Sequence, residues 1–471
     1  MSRAIVVGGS IAGMCAARVL CDHYDEVVLI DRDVFPSEVA MRAGIPQSRH
    51  AHALLGRGQD ELERLFPGFV TAMTAGGALL FDPGSGLAMR RSLGWQDVGP
   101  NGFNTLWASR DLIEHTVRSR LRAHGVVQLR ERTSAIGLRC ADNAPRRVTG
   151  LRVRRDAAAS HEGGGAGEQV LDADLVVDAS GRHSHAERWL QELGLPLPDT
   201  QRVDAHAGYA SRFYQPPPRE RRPKDWWWQG LWVEYQPNTP RGAVIFPIEH
   251  DRWLVTAVGI AGNYPPTDDA GFVAYLDTLS SRAIARAVAL ATPLSDIAGN
   301  RSMANVFRRY DQWDAELRGF VALGDAVCAF NPIYGQGMST AAACAGLLAD
   351  VLRARGKAPG FERAFFASSG AFLNDVWNLA TGADFQWPTT EGDRPRVSPA
   401  IGAYLRLAME AAHFDAKLRR QVVPVFNLTG SFKLFFEPRF AARALAAVAA
   451  RRLRARIGVI ALVPDLPPSP V

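Results

Sequence analysis

Residues 3–13, RAIVVGGSIAG, decide the fold when taken with the run of small residues that follows to 23 and with EVVLID at 26–31. RAIVV reads as a short buried strand, residues 11–23 as a helix of Ala and small apolar residues, and 26–31 as a second strand. Together they make a β-α-β unit of about minimum length. Gly8-Gly9-Ser10-Ile11-Ala12-Gly13 forms the turn between strand and helix. Gly8 permits the tight turn, and Gly13 lets helix and strand pack closely. Ser10 stands where a second glycine usually lets backbone approach a pyrophosphate. The helix N-terminus offers unpaired amides and a partial positive charge to phosphates. Asp31 ends the second strand 18 residues after Gly13, where a carboxylate can accept ribose hydroxyls. Arg32, beside it, joins the same cofactor-binding set. A plain glycine turn in a buried α/β unit is the competing reading. Strand, helix and Asp31 in one context favour the nucleotide.

A second signal is GFVALGDAVCAFNPIYGQGMSTAAACAG at 319–346. An apolar strand ends in Gly324-Asp325, and a loop with Pro332, Gly335 and Gly337 precedes an Ala-rich helix containing Met338. Asp325 can accept a hydroxyl hydrogen bond from a sugar or ribityl chain. Amides at Gly335 and Gly337 can stabilise negative charge on a reduced ring. The bland alternative is a strand–loop–helix turn with glycines for geometry.

Three elements in this order, GGSIAG at 8–13, DASGRHS at 178–184 and the Gly-Asp stretch with its Pro/Gly loop at 324–337, resemble the group A flavoprotein monooxygenases. The closer similarity is to the squalene-epoxidase-like branch, with bacterial polyether and polyene epoxidases. IPQSRHAHALLGRG at 45–58, FNPIYGQGMS at 330–339 and WNLATGADFQWPTTEG at 377–392 carry it. The resemblance implies FAD, held by the first element, by Asp178 of the second, by Gly324 and Asp325, by the loop Pro332–Met338, and by Arg110 at the start of a helix. It also implies NAD(P)H as transient reductant and oxygen transfer from a C4a-hydroperoxyflavin to an electron-rich carbon. The cofactor carries that chemistry, so no protein nucleophile is required.

The implied fold class is α/β: a Rossmann-like FAD-binding domain (GR2-type) with an inserted, mostly antiparallel β substrate domain and a helical C-terminal region. The expected division is 1–200 plus 300–355 for FAD, 201–299 for substrate, and 356–471 for the helical region.

Arg49, His50 and His52 lie in a segment that, by the same resemblance, returns toward the flavin. Arg49 is then a cofactor contact and His50 a proton-transfer or hydrogen-bonding group. On a strand, an HxH pair puts both rings on one face, but a third and fourth metal ligand are not evident, so no metal is expected. Alternation would set Trp226, Trp228 and Trp232 on one face of a strand, with Trp227 on the other. They are either an aromatic wall for an apolar substrate or sheet core.

Composition sets the remaining bounds. A chain of 471 residues calls for two or three structural units. Its five cysteines are odd in number and form no CxxC, which points to a reducing, cytoplasmic setting. The start, MSRAIVVGGS, does not read as a signal peptide, and no run of about 18 apolar residues suggests a membrane span. The net charge of +6 reads as spread along the chain, with no basic run interleaved with aromatics, so no nucleic-acid partner is expected. The Gly-rich stretch 156–168 reads as a loop, and PDLPPSPV at the end as disordered. Residues 439–456 read as a basic helix with an apolar stripe of Leu445, Val448, Ala449, Leu453 and Ile457. That helix either packs on the body or touches an anionic membrane.

The expected partners are O2 and an apolar small molecule. The leading function is epoxidation or hydroxylation. A flavin-dependent halogenase, a geranylgeranyl-reductase-type enzyme and a non-catalytic flavin carrier are the alternatives. DWWWQGLW at 225–232 does not match the WxWxIP pattern of the halogenases.

Overall fold

A computed structural model describes the chain except for residues 142–145, 157–166, 237, 302, 395–397, 457–463 and 469–471. The first strand, Arg3–Val7, is the centre of a five-stranded parallel sheet. Leu175–Asp178 and Phe320–Ala322 lie on one side of it, Glu26–Ile30 and Val127–Arg130 on the other. Ile5, Val28, Val176 and Val321 are almost wholly buried. Strands covered on both faces need continuous apolar runs, and these sequences supply them. The helix Ile11–Leu20 ends three residues before the expected stop. It packs on the helices Arg110–Ala123 and Gly337–Arg355.

The second large sheet has eight strands. Gly208–Gln215, Arg252–Gly259, Arg241–Ile248 and Gly230–Val233 are its centre, and Leu87–Arg91 pairs in parallel with the last of these. Arg241–Ile248 and Arg252–Gly259 form a hairpin whose turn is the three residues Glu249–Asp251, with His250 and Asp251 in the left-handed region at φ of 64° and 51°.

The two faces of this sheet differ. One packs Leu231, Val233, Ile245 and Val255 against the helices Asp269–Asp277 and Ala283–Ala289. The other carries Trp232, Val244, Phe246 and Leu254. The tryptophans correct the expectation of a single wall. Trp226 and Trp228 precede the strand and pack with Trp253 on the helix-covered face, at ring distances of 5.1–5.7 Å. Trp232, inside the strand, faces the opposite way.

The helices Pro399–Phe414, Ala416–Phe426 and Pro438–Arg456 share a separate small core that includes Phe435, Phe440 and Val448. The expected single stripe on the last helix is split. Leu445, Ala449 and Leu453 follow one i,i+4 row that faces solvent, and Phe440, Ala444 and Val448 follow the adjacent row, which faces inward. Ile457 lies outside the described residues, as does most of the Gly-rich stretch 156–168.

The chain end also departs from expectation. Residues 464–468 are docked. The Pro464 carbonyl accepts from Arg90 and from the Trp95 indole (3.0 Å), the Pro468 carbonyl accepts from the Trp227 indole (3.0 Å), and Leu466 joins the helix-covered core. Prolines cost little ordering entropy, and their free carbonyls suit indole donors. Among the described residues no helix is long and apolar enough to cross a membrane.

Gly8 has φ of 106°, and a Cβ there would lie 2.4 Å from the Ala179 carbonyl oxygen. Gly8→Ala is expected to cost about 1–3 kcal/mol or more. Gly382, exposed inside a helix with open space around it, is the control. Gly382→Ala should stabilise by about 0.5–1 kcal/mol. Denaturant unfolding of the two variants checks both signs.

Candidate functional site

The three motif elements meet at the carboxyl ends of the parallel strands, where open α/β sheets bind ligands. Val7 pairs with Asp178, Gly8 rests on the Ala179 carbonyl, and a Cβ on Gly324 would lie 2.8 Å from the Ala12 methyl. Ile11, Ala12 and Gly13 begin the first helix, and Gly13 crosses the Gly8 carbonyl too closely for any side chain.

Ser10 is built into this turn. Its hydroxyl donates to Glu114 (2.6 Å) and accepts from Arg110 (2.7 Å). Glu114 also accepts two further bonds from Arg110 (3.1 and 2.9 Å) and one from Arg42 (3.2 Å). Arg42 reaches the Gly9 carbonyl (3.2 Å) and lies 3.5 Å from both Asp31 and Asp33. Asp31 in turn accepts from the Gly9 amide at 2.6 Å. Ser10, Asp31, Arg42, Arg110 and Glu114 are thus one buried or half-buried ionic group wrapped around the phosphate-binding turn. Arg42 and Glu114 were not singled out from sequence. Glu114 had a signal, four residues after Arg110 on one helix; Arg42 sits in an irregular loop and had none.

Asp325 is hemmed in by protein yet still partly open to solvent, and no described side chain donates to it. Burial pushes its carboxyl above the usual carboxylate range, opposed by the charges of Arg182 and Arg110. A half-open carboxylate without a donor fits a hydroxyl of a bound ribityl chain. The conformations around it also fit: Gly324 has φ of 66°, and the 19-residue helix beginning at Gly337 points its N-terminus beside Asp325. The residues present therefore suit a flavin dinucleotide.

Asp178 is placed differently from a free cofactor contact. Its carboxylate is engaged by the Ser180 amide and hydroxyl (3.0 and 2.5 Å) and by Ser184. Arg182 donates to the Phe330 carbonyl (2.7 Å) and to Ala304. This element therefore braces the next loop.

That loop, Asn331–Gly337, is held by Asp384 at the end of the helix Phe361–Asp384. The fully buried carboxylate accepts from Tyr334 (2.5 Å), Asn305 (2.5 Å) and Asn331 (3.4 Å). Gly335, with φ of 65°, faces Ala53, whose methyl leaves no room for a Cβ. Pro332 is half-buried and Met338 buried. Asp384 lies in the stretch 377–392 quoted above, and its role was not read from it.

Residues 50–55 are irregular, which corrects the strand expected for the HxH pair. His50 is buried against the open face of the large sheet. Its Nδ1 is 2.8 Å from the Ser211 hydroxyl, which is 2.7 Å from that of Thr256, and its ring meets Tyr209 edge-on at 4.1 Å. His52 donates from Nδ1 to the His50 carbonyl (2.8 Å), which leaves its Nε2 as an acceptor. Burial lowers both imidazoles from 6.5 to about 3, so both are neutral. Arg32 and Arg49 are exposed. Strand register sets Met89, Trp232, Val244, Thr256 and Ser211 in one row across the same face. That row is apolar at one end and hydroxylic at the other. Trp226 and Trp228 lie on the far side of the sheet from it. No group of three or more metal-ligating side chains occurs among the described residues.

Comparison with known proteins agrees with this arrangement. The model of the FAD binding domain family matches residues 1–360, and the chain belongs to that family. Protein Rv3254 of Mycobacterium tuberculosis is 30% identical over 441 residues, 91% of this chain and 90% of that protein. The flavin-dependent brominase Bmp2 has the same fold at 16% identity, with a TM-score of 0.65 over 97% of this chain and 100% of its own. So does p-nitrophenol 4-monooxygenase PnpA from Pseudomonas putida DLL-E4, at 17% identity and a TM-score of 0.62 over 91% and 99%.

Two outcomes are expected. Glu114→Gln leaves the Arg42 and Arg110 guanidiniums buried without their shared counter-charge and should cost about 3 kcal/mol in chemical denaturation. The neutral histidines make the fold acid-sensitive. Unfolded, they protonate near 6.5; folded, near 3. Stability is therefore intact above pH 6.5 and lost as pH falls from there toward 3. Asp384, raised from 3.8 to about 6 by burial, works the other way: its contribution is full below 3.8 and lost as pH rises through 6. A Tm series over pH 4–7 should show a shallower acid-side fall in His50→Gln and a steeper one in Asp384→Asn.

Proposed function

We propose that this protein is an FAD-dependent monooxygenase of the squalene-epoxidase-like kind. It would use NAD(P)H and O2 to epoxidise or hydroxylate an apolar polyene, terpenoid or aromatic natural-product intermediate. The observation that carries this reading is the pairing of two halves: a charged cradle fitted to a flavin dinucleotide, and beside it a sheet face whose central row, Met89, Trp232, Val244, Thr256 and Ser211, is uncharged. When bound, FAD supplies electron transfer from the nicotinamide and activation of oxygen.

The chain's own residues bind, orient and exclude water. Asp31, Arg42 and the turn Gly8–Gly13 would hold the adenosine and pyrophosphate end, with Arg110 turned toward the same cleft. Asp325 would take a ribityl hydroxyl. The loop Pro332–Met338 would lie against the ring, the Gly337 amide at the start of the helix facing developing negative charge, while the Gly335 amide is held by the Pro332 carbonyl (3.0 Å). Trp232, Met89 and Val244 offer half-buried apolar surface to the substrate. His50, neutral and linked to Ser211 and Thr256, can relay a proton along that hydroxyl chain, accepting at one ring nitrogen as it releases from the other, without leaving a charge in the apolar half.

A halogenase is the second reading, favoured by the brominase-like fold alone. The sequence at 225–232 speaks against it. A reductase or dehydrogenase without oxygen use is the third.

The test is an absorbance spectrum followed by anaerobic NADH or NADPH reduction and re-addition of O2 with candidate polyenes and aromatics. Substrate-stimulated oxygen uptake with an oxygenated product supports the monooxygenase. A halogenated product that depends on bromide or chloride replaces it with the second reading, and turnover without oxygen uptake with the third. Asp325→Ala should lose most of its bound FAD, read as the ratio of flavin to protein absorbance. A fully yellow mutant would show that the loop has been misassigned.

A further inference from the structure

The net charge of the chain is concentrated in one region. Residues 416–456 contain ten Lys and Arg and a single acidic residue, Glu437, for a net +9; the remainder of the chain is net −3. The reading of a charge spread along the chain does not survive this count. The same region exposes large apolar side chains: Phe426 (37%), Phe432 (37%), Phe436 (52%), Leu445 (52%) and Leu453 (63%). Phe432 and Phe436 lie 6.1 Å apart on one short turn, with Lys433 between them in sequence and Arg439 three residues on, both exposed. Leu445 and Leu453 lie on the outward side of the last helix, with Arg452. The inward side of that helix is already satisfied by Phe440, Ala444 and Val448.

We infer that this surface docks the protein on an anionic phospholipid bilayer. Phenyl and leucyl groups ringed by ammonium and guanidinium charges match the boundary between headgroups and acyl chains. A polyanion such as nucleic acid would satisfy the charges but leave Leu445 and Leu453 exposed, since leucyl groups offer no stacking platform to a base. Position adds a reason. Asn427, next to Phe426, accepts from the amides of Gly56 and Arg57 (3.0 Å each). That strand of chain continues back to Ala53, which packs on Gly335 of the loop assigned above to the flavin. The docking surface is therefore joined to the site by a short, hydrogen-bonded segment, the arrangement a membrane-dissolved substrate requires.

The test is flotation of the full-length protein with vesicles of phosphatidylcholine, with and without phosphatidylglycerol. It reads vesicle binding and does not depend on bound flavin, so the flavin assignment and this inference can fail separately. Binding to the anionic vesicles only, weakened by salt, is expected. The Phe432→Ser, Phe436→Ser double variant should bind roughly tenfold less tightly or worse. Lys433→Ala and Arg439→Ala should each lose roughly fivefold. All these residues are exposed, and unchanged circular dichroism and Tm confirm intact folding. Three results overturn the inference: no binding to either vesicle, binding indifferent to both sets of substitutions, or salt-sensitive binding to duplex DNA or RNA with none to vesicles.

Discussion

The site depends on backbone meeting backbone without an intervening side chain. Gly8 rests on the Ala179 carbonyl, Gly13 crosses the Gly8 carbonyl, and Gly324 sits on Ala12. Two of these contacts, Gly8 with Ala179 and Gly324 with Ala12, join segments distant in sequence, and each of the three tolerates hydrogen alone on one side. Close packing makes such contacts all-or-none. Once they form, the first helix is fixed with its N-terminus at the strand ends, and three elements from positions near 10, 180 and 325 share one cleft. Ser10 is then within reach of Glu114, and Asp325 faces the side that holds Arg110.

Charge is divided sharply within this frame. On the dinucleotide side, Arg42, Arg110, Asp31 and Glu114 compensate one another at short range. Buried ions are tolerable only when paired and hydrogen-bonded in this way. In the middle of the large sheet's open face the polar groups are Ser211, Thr256 and histidines kept neutral by burial, and the charged pairs Arg91–Glu234 and Arg252–Glu249 are kept to the strand ends. A cofactor carrying phosphates and a greasy substrate make opposite demands on the local dielectric. The parallel sheet and the antiparallel sheet meet them separately, and residues 50–58 run along the seam.

Much of this was legible in the sequence, and the boundary of legibility is physical. Continuous apolar strands, glycine turns and the Gly-Asp loop are local patterns, and the parallel sheet followed from them. The direction of Trp226 and Trp228 was not readable, because they fall before the strand whose alternation was applied to them. The HxH pair was misread for the same reason: Pro46 and the turn after it leave 50–55 without strand pairing. The docked tail escaped because a proline-rich segment looks disordered until indole donors such as Trp95 and Trp227 are supplied from 369 and 241 residues away in the chain. Arg42 shows the limit most plainly. Its four partners come from three separate segments, and none of that is encoded near position 42.

Asp384 has the same character and a clearer consequence. It closes the helix Phe361–Asp384 and is packed so deeply that its carboxyl is raised to about 6, yet it accepts three hydrogen bonds that favour the charged form. Two of the donors, Asn331 and Tyr334, belong to the loop that ends at Gly337, and the third, Asn305, also accepts the Asn331 amide on its side-chain oxygen at 2.7 Å. The loop is therefore fixed from the side away from the cleft. In the role proposed for it, the loop presents a backbone amide to a developing charge and must not relax toward solvent, since preorganisation is what makes that amide effective. Anchoring it to a buried acid through the side chains of Asn331 and Tyr334 leaves the Gly337 amide directed by the fold while the anchor carries the cost of burial.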